Sequence, residues 1–200
     1  ELLTRPMRLD KFICKSTHLN KSEAKEAIEN GQVSRNGAIV YEANIQIHQD
    51  NAVTLNNKIL TLRPFNYILI NKPQNTICSN VDEKYPSIFN RVLVQCDDEL
   101  HVAGRLDADT TGLLLATDDG RWAFDITRPE KQCKKVYRVQ LSKPISSSAA
   151  EQFLAGIWLQ GEKKPTLPAV LEVITSQDVR LTITEGKYHQ VKRMFAAIGN

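Results

Sequence analysis

The sequence predicts an α+β protein built as a small unit followed by a larger one. Three observations carry that prediction. Helical and strand-like segments are intermixed without a regular βαβ rhythm, which favours a mixed, mainly antiparallel sheet flanked by helices over a doubly wound fold. Two asparagine-centred turns each divide a pair of strand-like runs in the first sixty residues. Thr61 to Asn66, with Pro64 inside it, then breaks the pattern and reads as a linker between residues 1–60 and 67–200.

Taken in order, Arg8 to Lys15 is a short amphipathic helix with Leu9, Phe12 and Ile13 on one face. Asn20-Lys21-Ser22-Glu23 fits a capping box for a second helix with Ala24, Ala27 and Ile28 as its apolar stripe, and Gly31 is placed to end it in a left-handed turn. Gln32 to Tyr41 folds back at Asn36-Gly37, and Ala52 to Leu60 does so at Asn56-Asn57. The larger unit opens with Tyr67 to Ile70, a buried-strand run, and continues with a helix from Ser87 to Val94. Strands follow at His101 to Ala103 and Leu113 to Thr117, then a turn at Asp119-Gly120 and a short helix from Arg121 to Ile126. Val136 to Leu141 alternates as a strand, Ser147 to Gly156 is helical, and Val170 to Ile174 and Val179 to Ile183 suggest an antiparallel pair. Tyr188 to Ile198 is a helix with Val191, Met194, Phe195 and Ile198 on one face.

Composition bounds the function class. With 42% hydrophobic and 24% charged residues the chain is an ordinary globular one, and no apolar stretch reaches the roughly 20 residues of a membrane helix. The first residues lack the basic start and apolar core of an export signal, so the cytoplasm is the expected compartment. Cys14, Cys78, Cys96 and Cys133 form no C-x-x-C pair and no zinc-finger spacing with histidine, so reduced, mostly buried thiols and no structural metal are expected. The net charge of +3 is mild, but its distribution is not even. Arg128, Lys131, Lys134, Lys135, Arg138 and Lys143 crowd residues 126–145, directly after an acidic stretch over 97–125. Such a layout suits a nucleic-acid partner.

The stretch from Gly104 to Gly112, Gly-Arg-Leu-Asp-Ala-Asp-Thr-Thr-Gly, lies between two predicted strands, where a scaffold can hold a polar loop rigidly. It offers Asp107 or Asp109 as nucleophile or base, Arg105 as a partner for carboxylate or phosphate, and glycines that allow close backbone approach. The same residues also fit a turn whose aspartates only bond backbone amides.

Gly104-Arg105-Leu106-Asp107 followed by Thr110-Thr111-Gly112-Leu113 resembles the motif of the catalytic aspartate in the Rsu and Rlu families of pseudouridine synthases. Asn71-Lys72-Pro73 resembles the first motif of those families, Lys135-Val136-Tyr137 their K-x-Y strand, and Glu185 to Met194 their last motif. Residues 1–60 resemble an S4-type RNA-binding module, which the Rsu branch carries, and Tyr188-His189-Gln190-Val191-Lys192-Arg193 is closest to the branch acting on small-subunit (16S) ribosomal RNA.

The resemblance implies conversion of uridine to pseudouridine with Asp107 as the essential carboxylate, and it implies no cofactor and no metal. It makes Lys192 the cation beside Asp107, with Arg193 second. Tyr137 is expected to stack on the uracil, and Arg105 to hold phosphate or keep the target nucleotide out of its stack. Arg8, Lys11, Lys15, Lys21, Lys25 and Arg35, joined by Lys72 and Lys135 of the motifs, are the expected RNA contacts. His18, His48 and His101 have no ligand spacing, whereas His189 falls in the last motif. The implied partner is small-subunit ribosomal RNA, free or in an assembling particle, bound by a monomer away from membranes. Because the chain ends at Gly199-Asn200, the catalytic domain is expected to lack a C-terminal strand that relatives carry.

Other classes make distinct predictions. An RNA-binding or ribosome-assembly factor would bind without turnover, and a large-subunit synthase would act on the other RNA. A metal-dependent phosphodiesterase using Asp107, Asp109, Asp118 and Asp119 would shorten RNA and stop with a chelator. A two-carboxylate glycosidase would need Asp107 and Asp109 to face each other across a substrate.

Overall fold

The structure is a computed structural model, and it describes residues 5–93 and 99–200. Two compact units result, one containing residues 5–66, the other containing Tyr67–Leu93 and His101–Asn200.

In the first unit, β1 (Met7–Arg8) leads into α1 (Leu9–Ser16), and α2 (Lys21–Glu29) follows. The capping box forms as expected: the Asn20 side chain accepts from the Ser22 and Glu23 amides, and Glu23 accepts from the Asn20 amide. Such a cap contributes about 1 kcal/mol. Gly31 adopts φ 71° and lets the chain turn into β2 (Val33–Arg35). β2 and β3 (Ala38–Ile39) form one hairpin, while β5 (Val53–Leu55) and β6 (Lys58–Ile59) form the other. Asn36, Gly37, Asn56 and Asn57 all have positive φ, the geometry that suits the right-handed strand twist of tight hairpins. The hairpins join as a four-stranded antiparallel sheet in the order β3-β2-β5-β6. Leu9, Phe12, Ile13, Ile28, Val33 and Val53 make the core beneath it. The two-residue strands β1 and β4 (Gln46–Ile47) pair separately and were too short to announce themselves by periodicity. The segment read as a linker is packed rather than free: Leu62 is buried in this core, and the Arg63 guanidinium donates to the Thr17 and Cys14 carbonyls.

The second unit has two three-stranded antiparallel sheets. One is ordered β7 (Tyr67–Lys72), β9 (Gly112–Thr117), β8 (His101–Val102), and the other β10 (Lys135–Gln140), β12 (Asp178–Ile183), β11 (Val170–Thr175). Among the described residues three α-helices accompany them: α3 (Gly120–Thr127), α4 (Ala149–Ala155) and α5 (Gln190–Ala197). Met194 and Phe195 of α5 pack with Phe153 of α4 and with Val179, Leu181 and Ile183. The Phe153 and Phe195 rings meet edge to face at 5.2 Å. A smaller core of Cys78, Ile88 and Leu114 lies under the first sheet.

Four expectations need correction. Tyr67 to Ile70 is not buried on both faces, since Tyr67 and Leu69 are exposed and the alternation carries Ile68, Ile70 and Lys72 inward instead. Ser87 to Val94 is not an α-helix: a single 3-10 turn spans Ile88–Arg91, because the Ile88 amide and the Pro86 carbonyl are bonded to Ile77. Val94 itself lies outside the described residues. Asp119-Gly120 does not stand as a separate turn, because the Asp119 carboxylate caps α3 through the Arg121 and Trp122 amides. Of the cysteines, Cys14, Cys78 and Cys133 are free thiols, but only Cys78 is buried, and Cys96 lies outside the described residues.

Candidate active site

The Gly104 to Gly112 loop connects β8 to β9 and is bracketed by left-handed glycines, Gly104 at φ 89° and Gly112 at φ 113°. A side chain would meet only Thr127 at 3.8 Å at Gly104 and nothing at Gly112, so torsion rather than space demands glycine at both. Between them the loop is fixed from below. Lys72, fully buried at the inner end of β7, donates to the carbonyls of Pro73 (3.1 Å), Ala108 (3.2 Å) and Thr110 (2.8 Å). Ala108 also accepts from the Asn75 amide at 2.8 Å, and the Leu106 amide reaches the buried Cys78 sulfur at 3.4 Å. Burial pushes the Lys72 pKa down, opposed in part by the nearby Asp109 and Asp107 carboxylates.

This placement removes Lys72 from the RNA-binding set, because a fully buried ammonium cannot meet a phosphate. Its position was legible: period-2 alternation puts it on the inner face with Ile68 and Ile70.

The second half of the site comes from the start of α5. Lys192 reaches over the loop, with Nζ 3.3 Å from Asp107 Oδ2 and 2.5 Å from Asp109 Oδ1. The hydrogen bond from Lys192 holds the Asp109 carboxyl below its ordinary pKa. Partial burial works against the charged form of Lys192, but the two carboxylates outweigh it and raise its pKa. His189, the residue before α5, has φ 46° and places Nε2 3.7 Å from Asp107 Oδ1. Tyr137 projects from the middle of β10 and is half-buried, and its phenol pKa is raised by burial and then by the charge of Asp107. Asp107, Tyr137 and Lys192 therefore come together, while Arg105 stands exposed on the same loop.

Arg193 does not join them. Its guanidinium donates to Glu162 (3.0 Å) and to the carbonyls of Tyr188 (2.9 Å) and Gln160 (2.6 Å), which corrects its assignment as a second cation for Asp107. Glu162 also accepts from Lys187 at 3.1 Å, and these two bonds hold its carboxyl below the ordinary range. Glu185 adds a further tie, accepting from the Leu167 amide and from Gln190. Lys135 donates to the Glu185 carbonyl at 3.3 Å, a tie between β10 and this loop. Glu162 lies in an irregular segment between α4 and β11, and no motif or spacing marked it.

In the first unit, Lys11, Lys21 and Lys25 are exposed and Arg35 is half-buried. Arg8 forms a two-pronged pair with the buried Asp10. Lys15 departs from expectation: it is buried with Nζ 4.7 Å from the centre of the Phe65 ring, a packing role. Two cations of the basic run over 126–145 are ion-paired, Arg128 with Asp125 and Arg138 with Asp178.

The four-aspartate metal arrangement does not form. Asp118 and Asp119 follow β9 whereas Asp107 and Asp109 precede it, and six strand residues separate them by roughly 20 Å. Asp119 accepts from the Tyr67 hydroxyl at 2.9 Å; burial and this carboxylate push the phenol pKa up to about 12. Among the described residues no group of three or more His, Cys, Asp or Glu is arranged to hold a metal, and no helix is long and apolar enough to cross a membrane.

A loop-borne aspartate faced by a lysine and a histidine, beside a strand tyrosine, completes the set of motifs that the sequence places in order. The family model for RNA pseudouridylate synthase matches residues 66–197, and the model for the S4 domain matches residues 7–51; the chain belongs to the RNA pseudouridylate synthase family. It is 47% identical over 195 residues to the protein named ribosomal small subunit pseudouridine synthase A of Haemophilus influenzae, covering 97% of this chain and 84% of that one. The protein of the same name in Escherichia coli K12 is 45% identical over 195 residues with the same coverage. A solved structure described as that of a pseudouridylate synthase superposes with a TM-score of 0.67 at 46% identity, covering 97% of this chain and 84% of the other.

Proposed function

We propose that this chain isomerises a uridine of small-subunit (16S) ribosomal RNA to pseudouridine, with Asp107 as the reacting carboxylate. The observation that carries the assignment is the position of Asp107, on a loop immobilised by buried Lys72 and between Lys192 and His189. In the reaction the C1′–N1 bond breaks, the base rejoins C1′ through C5, the C5 proton departs and N1 regains a proton. Atoms balance within the nucleotide, so the residues need only orient it and stabilise changing charge. Lys192 stabilises negative charge at both aspartates. Tyr137 presents its ring to the uracil, and Arg105 holds phosphate beside the extruded nucleotide, offsetting an unstacking cost of a few kcal/mol. Lys11, Lys21, Lys25, Arg8 and Arg35 give residues 1–60 phosphate contacts that position the RNA without reading it. Residues 67–200 carry the catalysis.

The small-subunit substrate is supported by the names of relatives that match over nearly the whole chain. With that substrate go a monomeric enzyme, the cytoplasm as the working compartment, and ribosomal RNA, free or in an assembling particle, as the form acted on. The test is tritium release from RNA labelled at uracil C5, comparing small-subunit RNA, bare and with bound proteins, against large-subunit RNA. Release confined to the small-subunit substrate is expected; release from large-subunit RNA alone would overturn the substrate, and binding without release would reassign the chain as an assembly factor.

A further inference from the structure

We propose that the stacked rings of Tyr188 and His189 form a binding site for an unpaired nucleobase next to the target uridine. The inference rests on Asp107 acting on an RNA nucleotide. Tyr188 is 77% exposed, yet its ring lies flat on the His189 imidazole, with centroids 3.8 Å apart and planes 19° apart. The edge of that imidazole points to the proposed reaction centre, with Nε2 3.7 Å from Asp107 Oδ1. The imidazole thus meets the carboxylate at its edge and Tyr188 at its face, and the Tyr188 ring is left largely exposed.

The backbone beneath it is restrained. His189 holds φ 46°, a conformation that residues other than glycine adopt infrequently, and contacts on both sides maintain it. Arg193 donates to the Tyr188 carbonyl, the Lys187 amide donates to the Gln190 side chain, and Lys187 and Arg193 share Glu162. A single exposed aromatic needs no explanation in itself. One that is stacked, tethered on strained backbone and joined to the catalytic carboxylate through a second ring is preorganised for a flat ligand.

The chemistry selects that ligand. A uridine that enters the site leaves its stack, so the adjoining base loses a partner face. The Tyr188 ring replaces it, and aromatic stacking of one base is worth about 5- to 150-fold in affinity. Stacking tolerates any base, so this site grips the RNA without choosing its sequence.

The test uses a single-stranded oligoribonucleotide with one uridine flanked by 2-aminopurine, whose fluorescence falls on stacking. The unsubstituted protein, Tyr188→Phe and Tyr188→Leu are titrated with it. The unsubstituted protein and Tyr188→Phe are expected to quench alike, while Tyr188→Leu quenches little and binds at least about 5-fold more weakly. Quenching and binding by Tyr188→Leu equal to the unsubstituted protein, or a loss in Tyr188→Phe as large as in Tyr188→Leu, overturns the proposal. Because the readout needs no turnover, Tyr188-dependent quenching without tritium release would sink the isomerase reading and leave the base site standing. Tritium release without any Tyr188 dependence of binding would do the reverse.

Discussion

The loop that carries Asp107 and the loop that carries His189 meet at one carboxylate, but different physics holds each of them. The first is pinned from inside the protein, by a buried lysine, an amide and a thiol that all engage its backbone. The second is strapped from outside, by Glu162 between Lys187 and Arg193 and by Glu185 on Gln190. Backbone hydrogen bonds shielded from water keep their strength as salt changes, whereas part-exposed ion pairs are screened. The arrangement fixes the proposed reacting carboxylate and leaves its partners adjustable, which suits a site that must admit and release a nucleotide.

The largest expected effect falls on the pinned side. Lys72→Met removes the donor to three carbonyls while keeping most of the volume, and it should lower folding stability by about 3 kcal/mol or more. Urea unfolding measures this, and a variant as stable as the parent would show that the loop does not depend on its pin. Glu162→Gln should be far milder: the fold stays intact and turnover falls by roughly a few-fold, as befits part-exposed pairs screened by solvent. Adding salt should weaken the unsubstituted protein more than it weakens Glu162→Gln, once RNA binding is held saturated. Equal salt sensitivity of the two would remove the strap from the account.

The smallest effects come from pH. Asp109 and Glu162 have folded pKa values below their unfolded ones, so their contribution is complete above the ordinary carboxylate range and fades as pH falls through the lowered values. Lys192 is raised, so its contribution is complete below its ordinary value of 10.5 and fades as pH rises past that into the raised value. Stability followed by thermal melting should therefore show the links between the loops intact through neutrality and lost at both extremes. A Lys192→Met variant should lose the alkaline limb; an unchanged alkaline limb would contradict the pairing.

The elements most legible in sequence were those written in local chemistry. The Asn20 capping box, the two asparagine hairpins and the helix bearing Val191, Met194 and Phe195 are each set by residues within a few positions. The meeting of Asp107 with Lys192 was legible only through the family motifs, since 85 positions separate the two residues and no periodicity joins them. Charge misled where burial decided: Lys15 and Lys72 count as cations in the sequence but are packing and pinning groups in the fold. Arg193 misled for a related reason. Its neighbour Lys192 faces the aspartates, and one residue along the helix, about 100°, turns Arg193 toward Glu162 instead. Glu162 could not be foreseen, because its two partners lie 25 and 31 residues away.

The proposed reaction makes Asp107, flanked by both His189 and Lys192, the reacting carboxylate and leaves Asp109 only to share the lysine. Single-turnover tritium release from C5-labelled small-subunit RNA by Asp107→Asn and Asp109→Asn, with RNA binding measured alongside, separates the two carboxylates. Asp107→Asn should bind and release nothing, while Asp109→Asn should still turn over, slowed by roughly tenfold through loss of one Lys192 tether. Release by Asp107→Asn together with silence from Asp109→Asn would place the reacting carboxylate two residues further along the loop and contradict the account.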